Sequence, residues 1–196
     1  MEDLKTVYNK IVYRWLKTKP ETTWGSEEIK SFIGLVEEGK VLDLGCAAGA
    51  HSKYLSNAGL EVIGIDFAEK MIEQAKTVAP KVRFLVMNIS NLRFPDAYFD
   101  GIYARASLLH IKKDKIRQVL VKLREILKKD GIMYIALKEG EGERVVVDEE
   151  NVSRFFAFYK EDEIKRLLQN TGFEIMSISY EKTRNNLWLQ IFVKKV

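Results

Sequence analysis

The chain has 196 residues, 46% of them hydrophobic and 31% charged, which suits one domain with a full core, and no apolar run is long enough to span a bilayer. One cysteine, Cys46, excludes an internal disulfide and a cysteine-built zinc cluster, and His51 and His110 alone are thin material for any metal site. The net charge of +4 comes from 32 Lys and Arg against 28 Asp and Glu, scattered except at Lys112-Lys113-Lys115 and Lys128-Lys129; these read as solvated helix ends, with an RNA-binding face as the alternative.

From residue 2 to about 18, Leu4, Val7, Tyr8, Ile11, Val12, Trp15 and Leu16 fall on one helical stripe, which Pro20 stops. Ser26 is placed to cap a second helix carrying Ile29, Phe32, Ile33 and Val36 and ending near Gly39. Val41–Leu44 is a short continuous apolar strand, the pattern of a strand covered on both faces. A helix over 50–57 closed by Gly59, a strand over 61–65, a helix over 70–78 ended by Pro80, and strands over 82–87 and 99–103 follow. The clearest helix has Asp114 as its expected cap and Ile116, Val119, Leu120, Leu123, Ile126 and Leu127 at helical spacing. Asp130-Gly131 then turns the chain into a strand over 132–137. After a helix near 162–170, two strands, 173–180 and 187–193, are separated by Asn185-Asn186 and must pair antiparallel. The expectation is an α/β fold: a Rossmann-like three-layer sandwich with a seven-stranded, mostly parallel sheet and an antiparallel C-terminal edge hairpin. One domain spans 1–196, with residues 1–38 as a helical lid and 40–196 as the core.

The stretch VLDLGCAAGAHSKYLSNAGLEVIGIDF, residues 41–67, is a βαβ unit with a glycine turn after its first strand and an acid, Asp66, at the tip of its second, 23 residues after Asp43. A glycine turn at the C-terminal rim of a parallel sheet lets a ligand approach bare backbone, and an acid in the place of Asp66 accepts hydrogen bonds from ribose hydroxyls. A nicotinamide cofactor calls for G-x-G-x-x-G. Here Gly45, Ala47 and Gly49 are followed by Ser52 in place of the third glycine, and Asp43 repels a pyrophosphate. A cationic, phosphate-free nucleoside suits Asp43 better.

On these residues the chain resembles the class I S-adenosylmethionine-dependent methyltransferases of the small single-domain type, over roughly residues 40–140. DLGCAAG at 43–49 is similar to the family's D-x-G-x-G-x-G loop, and GID at 64–66 to its ribose-binding acidic motif. Residues 82–104 resemble the adenine-side segment and fourth strand, and 123–143 the helix and fifth strand that close the sheet. Three positions depart from the pattern. Ala47 replaces the middle glycine, Asn88 stands where an acid usually meets the adenine amino group, and Ala68 replaces a helix-capping serine at a cost of about 1 kcal/mol.

The resemblance implies S-adenosyl-L-methionine as cofactor and S-adenosyl-L-homocysteine as product. It implies a binding set of Asp43 for the cationic end, Gly45, Cys46, Ala47 and Gly49 in the turn, and Asp66 on the ribose. Phe67, Met71, Asn88 and Ile89 are expected around the adenine, although Phe67, Met71 and Ile89 also suit ordinary core packing. Arg105 is expected at the methionine carboxylate or an anionic substrate, or else on the surface. His110, in SLLH after the fourth strand, is the candidate general base, with a structural role for the loop as the alternative. Cys46 reads as a packed thiol rather than a nucleophile. The aromatic run 153–159 with Arg154, and the N-terminal Tyr8, Tyr13, Trp15 and Trp24, either wall an acceptor pocket or simply cover the sheet. No metal is expected. The expected activity is methyl transfer to an oxygen or nitrogen of a small-molecule acceptor by direct in-line displacement. The alternatives are an RNA methyltransferase or a non-enzymatic cofactor-binding module. The polar N-terminus and single cysteine point to a cytoplasmic protein without a membrane partner, as a monomer or homodimer.

Overall fold

A computed structural model describes residues 3–18, 26–148, 151–183 and 186–196. Trp24, Asn185 and the side chains of Tyr13, Trp15, Leu16 and Ser26 lie outside the described set, so the readings placed on them go no further.

The chain order is α1 (Leu4–Thr18), α2 (Ser26–Val36), β1 (Lys40–Leu44), α3 (Ala50–Asn57), β2 (Glu61–Asp66), α4 (Glu69–Val78), β3 (Arg83–Val86), β4 (Phe99–Arg105), α5 (Lys113–Ile126), β5 (Leu127–Lys138), β6 (Glu143–Val147), β7 (Ser153–Ala157), α6 (Glu161–Gln169), β8 (Phe173–Lys182) and β9 (Leu187–Lys195). Short 3-10 turns occupy Ile89–Asn91 and Leu108–His110. The main sheet has seven strands in the order β3-β2-β1-β4-β5-β9-β8. Strands β1 to β5 pair in parallel, whereas β9 runs antiparallel to both β5 and β8, which is the edge hairpin expected from the polar break at 183–186. The chain moves outward from β1 through β2 to β3, then crosses back to β4 on the other side. That reversal leaves a crevice beyond the C-terminal ends of β1 and β4, where open α/β sheets bind ligands.

The hydrophobic pattern explains the layers. Val41, Leu42 and Leu44 of β1 are fully buried because helices cover both faces of the sheet. Five of the six apolar residues of α5 from Ile116 to Ile126 are buried together, as their spacing requires, and Val121 faces outward.

Three local expectations are corrected. Asp114 does not cap α5: the helix starts one residue earlier, and the backbone N–H of Lys113 donates to Glu143 Oε1 of β6 at 2.5 Å. Asp130-Gly131 does not precede β5 but lies inside it. Phe99 pairs with Leu127 and Gly101 with Ile132, so the intervening residues form a bulge with Asp130 at φ 62°. The run 153–159 is not a plain connector, since β6 and β7 form a separate two-stranded antiparallel sheet with Val145 opposite Phe155. Val145-Val146-Val147 lacks the alternation that announces a strand, which is why the hairpin is hard to read from sequence.

Candidate functional site

The crevice begins at the end of β1. Gly45 has φ 78°, and a Cβ there would lie 2.6 Å from Ser107 Cβ, so the turn after β1 and the segment after β4 touch through bare backbone. Gly49 has φ 84° and seats α3 against Ala75 of α4, where a Cβ would come within 2.9 Å. Between them Ala47 holds φ 46°. The departure from glycine thus keeps the left-handed backbone, at a cost of roughly 1 kcal/mol.

Four backbone donors of this turn are already engaged. The N–H groups of Gly45 and Cys46 both donate to Ile65 O (2.9 and 2.8 Å), that of Ala47 to Asp66 Oδ2 (3.1 Å) and that of Gly49 to Cys46 O (2.9 Å). Asp43 closes the remaining approach. Its Oδ2 accepts from the Ser52 hydroxyl at 2.5 Å, and its carboxylate also takes the Ser52 backbone N–H in the first turn of α3. Ser52, the residue that breaks the dinucleotide fingerprint, is therefore the partner of Asp43. A pyrophosphate needs free N–H groups at this place; the turn offers it a buried carboxylate instead.

Asp66 ties the two loops together. Its Oδ1 accepts from Ala68 N–H at 2.9 Å and its Oδ2 from Ala47 N–H. The Phe67 N–H also reaches this carboxylate, and its remaining acceptor capacity is open to a ligand hydroxyl. Burial raises the pKa of Asp43 from 3.8 to about 7 and that of Asp66 to about 6. Both shifts mark a pocket short of positive charge. Beside them the Ser107 hydroxyl is buried without a hydrogen-bond partner, directly against Gly45. Two buried carboxylates, a turn with four of its amides already engaged and an unpartnered hydroxyl together suit a cationic, phosphate-free, hydroxyl-bearing ligand.

The adenine-side candidates are less uniform. Asn88 is exposed and uses Oδ1 to accept from Ser90 N–H at 2.8 Å, capping the 3-10 turn that follows β3. Phe67 is half-buried and meets Tyr8 edge-on at 5.7 Å. Met71 is fully buried in a small cluster with Tyr8, Ile11, Val12, Ala48 and Ala68, so helix α1 packs directly over the ligand turn. Ile89 belongs to the main core. The Cys46 thiol is buried, with its pKa pushed up by desolvation, and is a packed group.

Two expectations change. His110 is not open as a general base. Its Nδ1 donates to Phe155 O at 2.8 Å, its Nε2 accepts the Tyr8 hydroxyl at 2.8 Å, and burial lowers its pKa to about 4. It joins α1, β7 and the turn after β4. Arg105 does not reach toward the β1 turn. Its Nη1 donates to Tyr134 at 3.0 Å and its Nη2 lies 3.4 Å from Glu181, in a buried network that Gln190 completes.

The uncapped helix α4 finds its cap on another element. Asn9 Oδ1 accepts from Lys70 N–H at 3.0 Å, while Asn9 Nδ2 (3.0 Å) and Lys5 both bind Glu69. Asn9→Ala is therefore expected to lower stability by about 1 kcal/mol in a urea titration, with Asn9→Asp largely retaining the cap. Nothing local in the sequence gives the roles of Ser52, Ser107 and Asn9, because each acts across elements; Ser52 stands out only as the departure from the glycine fingerprint. Among the described residues, no helix is long and apolar enough to cross a membrane, and no group of His, Cys, Asp and Glu is placed to share a metal.

Residues 41–131 match the family model of a methyltransferase domain. An O-methyltransferase of Aspergillus nomiae is 29% identical over 170 residues, covering 79% of this chain and 72% of that protein. Among solved structures, an S-adenosylmethionine-dependent methyltransferase of Methanosarcina mazei is 26% identical, covers 80% of this chain and 92% of that one, and superposes with a TM-score of 0.73. The 1,6-didemethyltoxoflavin-N1-methyltransferase of Burkholderia thailandensis, 20% identical, shares the fold over 98% of this chain and 87% of its own with a TM-score of 0.81. With the β1 turn, Asp43 and Asp66 inside the matched region, the chain carries a methyltransferase domain with the class I S-adenosylmethionine-dependent fold.

Proposed function

We propose that the enzyme methylates an oxygen or nitrogen atom of a small-molecule acceptor, with α1 serving as the lid over both substrates. The observation that carries this reading is the placement of the Tyr8–His110–Phe155 chain of hydrogen bonds beside the cofactor turn, which makes α1, the turn after β4 and the β6–β7 hairpin one compact wall. A wall of that kind suits a small molecule better than a nucleic-acid strand. The named activity of the Aspergillus relative, O-methyl transfer, agrees with it.

When bound, S-adenosylmethionine supplies an activated methyl group on a sulfonium. Asp43 attracts its cationic end, Asp66 holds the ribose hydroxyls, and the Ser107 hydroxyl donates to or accepts from its amino-acid end. Tyr8 and Phe67 exclude water from the reaction space, so positioning and desolvation carry the acceleration. With His110 neutral and engaged, no dedicated base is assigned, and the acceptor gives up its proton to solvent before the space closes over it. The test is calorimetric titration with S-adenosylhomocysteine, followed by mass-spectrometric detection of a methylated product across a panel of small acceptors. Absence of affinity for the nucleoside rejects the reading, as does methylation confined to RNA.

A further inference from the structure

Arg105 is a buried charge that the methyl-transfer reading leaves unused. Its side chain is 2% exposed, and it ends β4 just ahead of Ser107. It belongs to a closed ring of hydrogen bonds. Arg105 Nη1 donates to the Tyr134 hydroxyl (3.0 Å), which donates in turn to Gln190 Oε1. Gln190 Nε2 donates to Glu181 Oε2 (2.5 Å), and that oxygen lies 3.4 Å from Arg105 Nη2. The ring takes one side chain from each of β4, β5, β9 and β8, which are successive neighbours in the sheet. Such a ring fixes the geometry of its members, because none can leave without stranding a buried partner.

The chain reverses immediately beyond Arg105. Ala106 N–H still donates to Ala136 O at 3.2 Å, but Ala106 has φ 53°. An L-residue keeps a left-handed backbone only where its surroundings impose it. The reversal sets the Ser107 side chain against Gly45, where its hydroxyl is buried and has no hydrogen-bond partner among the described residues. Further on, His110 is held by Tyr8 and by Phe155 O. The segment 105–110 is thus pinned at both ends, with a strained residue and an unsatisfied hydroxyl between the pins. One pin comes from α1 and β7, the other from β5 and the C-terminal hairpin.

We propose that Arg105 is a positioning residue: by locking the end of β4 to β5, β9 and β8, it fixes the reversal at Ala106 and holds the Ser107 hydroxyl on the amino-acid end of the cofactor. This rests on the placement of that end at Ser107 in the methyl-transfer reading above. Arg105 itself touches no substrate. Through it the edge hairpin, which lies beyond β5 and away from the β1 turn, takes part in cofactor recognition.

Two nucleosides that share adenosine and a thioether separate this role from a general structural one. S-adenosylhomocysteine has the amino-acid end and 5′-methylthioadenosine lacks it. Both are titrated calorimetrically into the full-length chain. Ser107→Ala and Arg105→Met are each expected to weaken S-adenosylhomocysteine about tenfold, while 5′-methylthioadenosine changes by less than about twofold. Combined, they are expected to cost little more than either alone, because both remove the same contact. Arg105→Met strands the Glu181 carboxylate, so Arg105→Met/Glu181→Gln, which takes away both charges, is measured beside it and is expected to show the same selective loss. A loss shared equally by the two nucleosides overturns the proposal. So does full S-adenosylhomocysteine affinity in Arg105→Met/Glu181→Gln, and so do losses that multiply when Ser107→Ala is added. If Ser107→Ala binds S-adenosylhomocysteine as the parent does, the proposal falls and the cofactor reading stands; if the parent binds neither nucleoside, both fall.

Discussion

Replacing Asp66 by alanine is expected to weaken S-adenosylhomocysteine binding by roughly 100-fold or more. The carboxylate stands at the tip of β2 and keeps acceptor capacity after accepting from Ala47, Ala68 and Phe67. Two ribose hydroxyls donating to it form charge-assisted bonds worth about 1.5–3 kcal/mol each, and every 1.4 kcal/mol is tenfold in affinity. The same substitution leaves the Ala47 and Ala68 N–H groups without their acceptor, so the turn loosens as well. Asp66→Asn separates the two effects. It retains one acceptor oxygen and the shape of the site, and its loss is expected to be nearer tenfold. Calorimetry on both variants, with thermal melts to show that each is folded, checks the result. Undiminished binding by Asp66→Ala would remove the ribose from this position.

Asp43→Asn is expected to stabilise the ligand-free protein above neutral pH and to weaken cofactor binding by about 10–100-fold. Burial raises the pKa of Asp43 from 3.8 to about 7. Between about pH 4 and 7 the folded chain therefore holds a proton that the unfolded chain has released. Stability falls as pH rises through that window and is level above it. Asparagine carries no such proton. The stability of Asp43→Asn relative to the parent should climb from about pH 4 to about pH 7 and then hold at about 1–3 kcal/mol, once the lost charge-assisted bond to Ser52 is set against it. His110 acts in the other sense. With its folded pKa at about 4, it withdraws stability as pH falls from 6.5 towards 4, but it is present in both proteins and cancels in the difference. The parent should also release a proton on binding S-adenosylmethionine near pH 6.5, because a cation beside Asp43 favours its ionised form. Denaturant titrations across pH, and calorimetry in buffers of differing ionisation enthalpy, measure both. A pH-independent difference between the proteins would show that Asp43 is ionised throughout.

The main sheet was legible because its strands obey simple rules. Val41–Leu44 and Phe99–Tyr103 are apolar on both faces, the helices between them repeat at 3.6 residues, and only a hairpin accommodates two strands separated by a few polar residues. The binding turn was legible for a related reason, since glycines and acids at fixed spacing write backbone geometry into the sequence. The residues that escaped do their work between elements. Nothing around Asn9 marks it as the cap of a helix sixty residues on, and nothing around Ser107 shows that it abuts Gly45. His110 illustrates the limit from the other side. Its place after β4 suggested proton transfer, yet its two nitrogens are settled by Tyr8 and the Phe155 carbonyl, partners 102 and 45 residues away. Chemistry that depends on a free lone pair is decided by tertiary packing, and no local pattern reports it.

The inward-turned amides of Gly45, Cys46, Ala47 and Gly49 carry a consequence for life in a crowded metabolite pool. Adenosine phosphates share the base and sugar of S-adenosylmethionine and abound wherever metabolism runs. A turn with vacant amides would admit them as competitors. Here four of the turn's amides are turned inward and a phosphate would meet the buried Asp43 carboxylate, so the turn disfavours the commonest look-alikes of the methyl source.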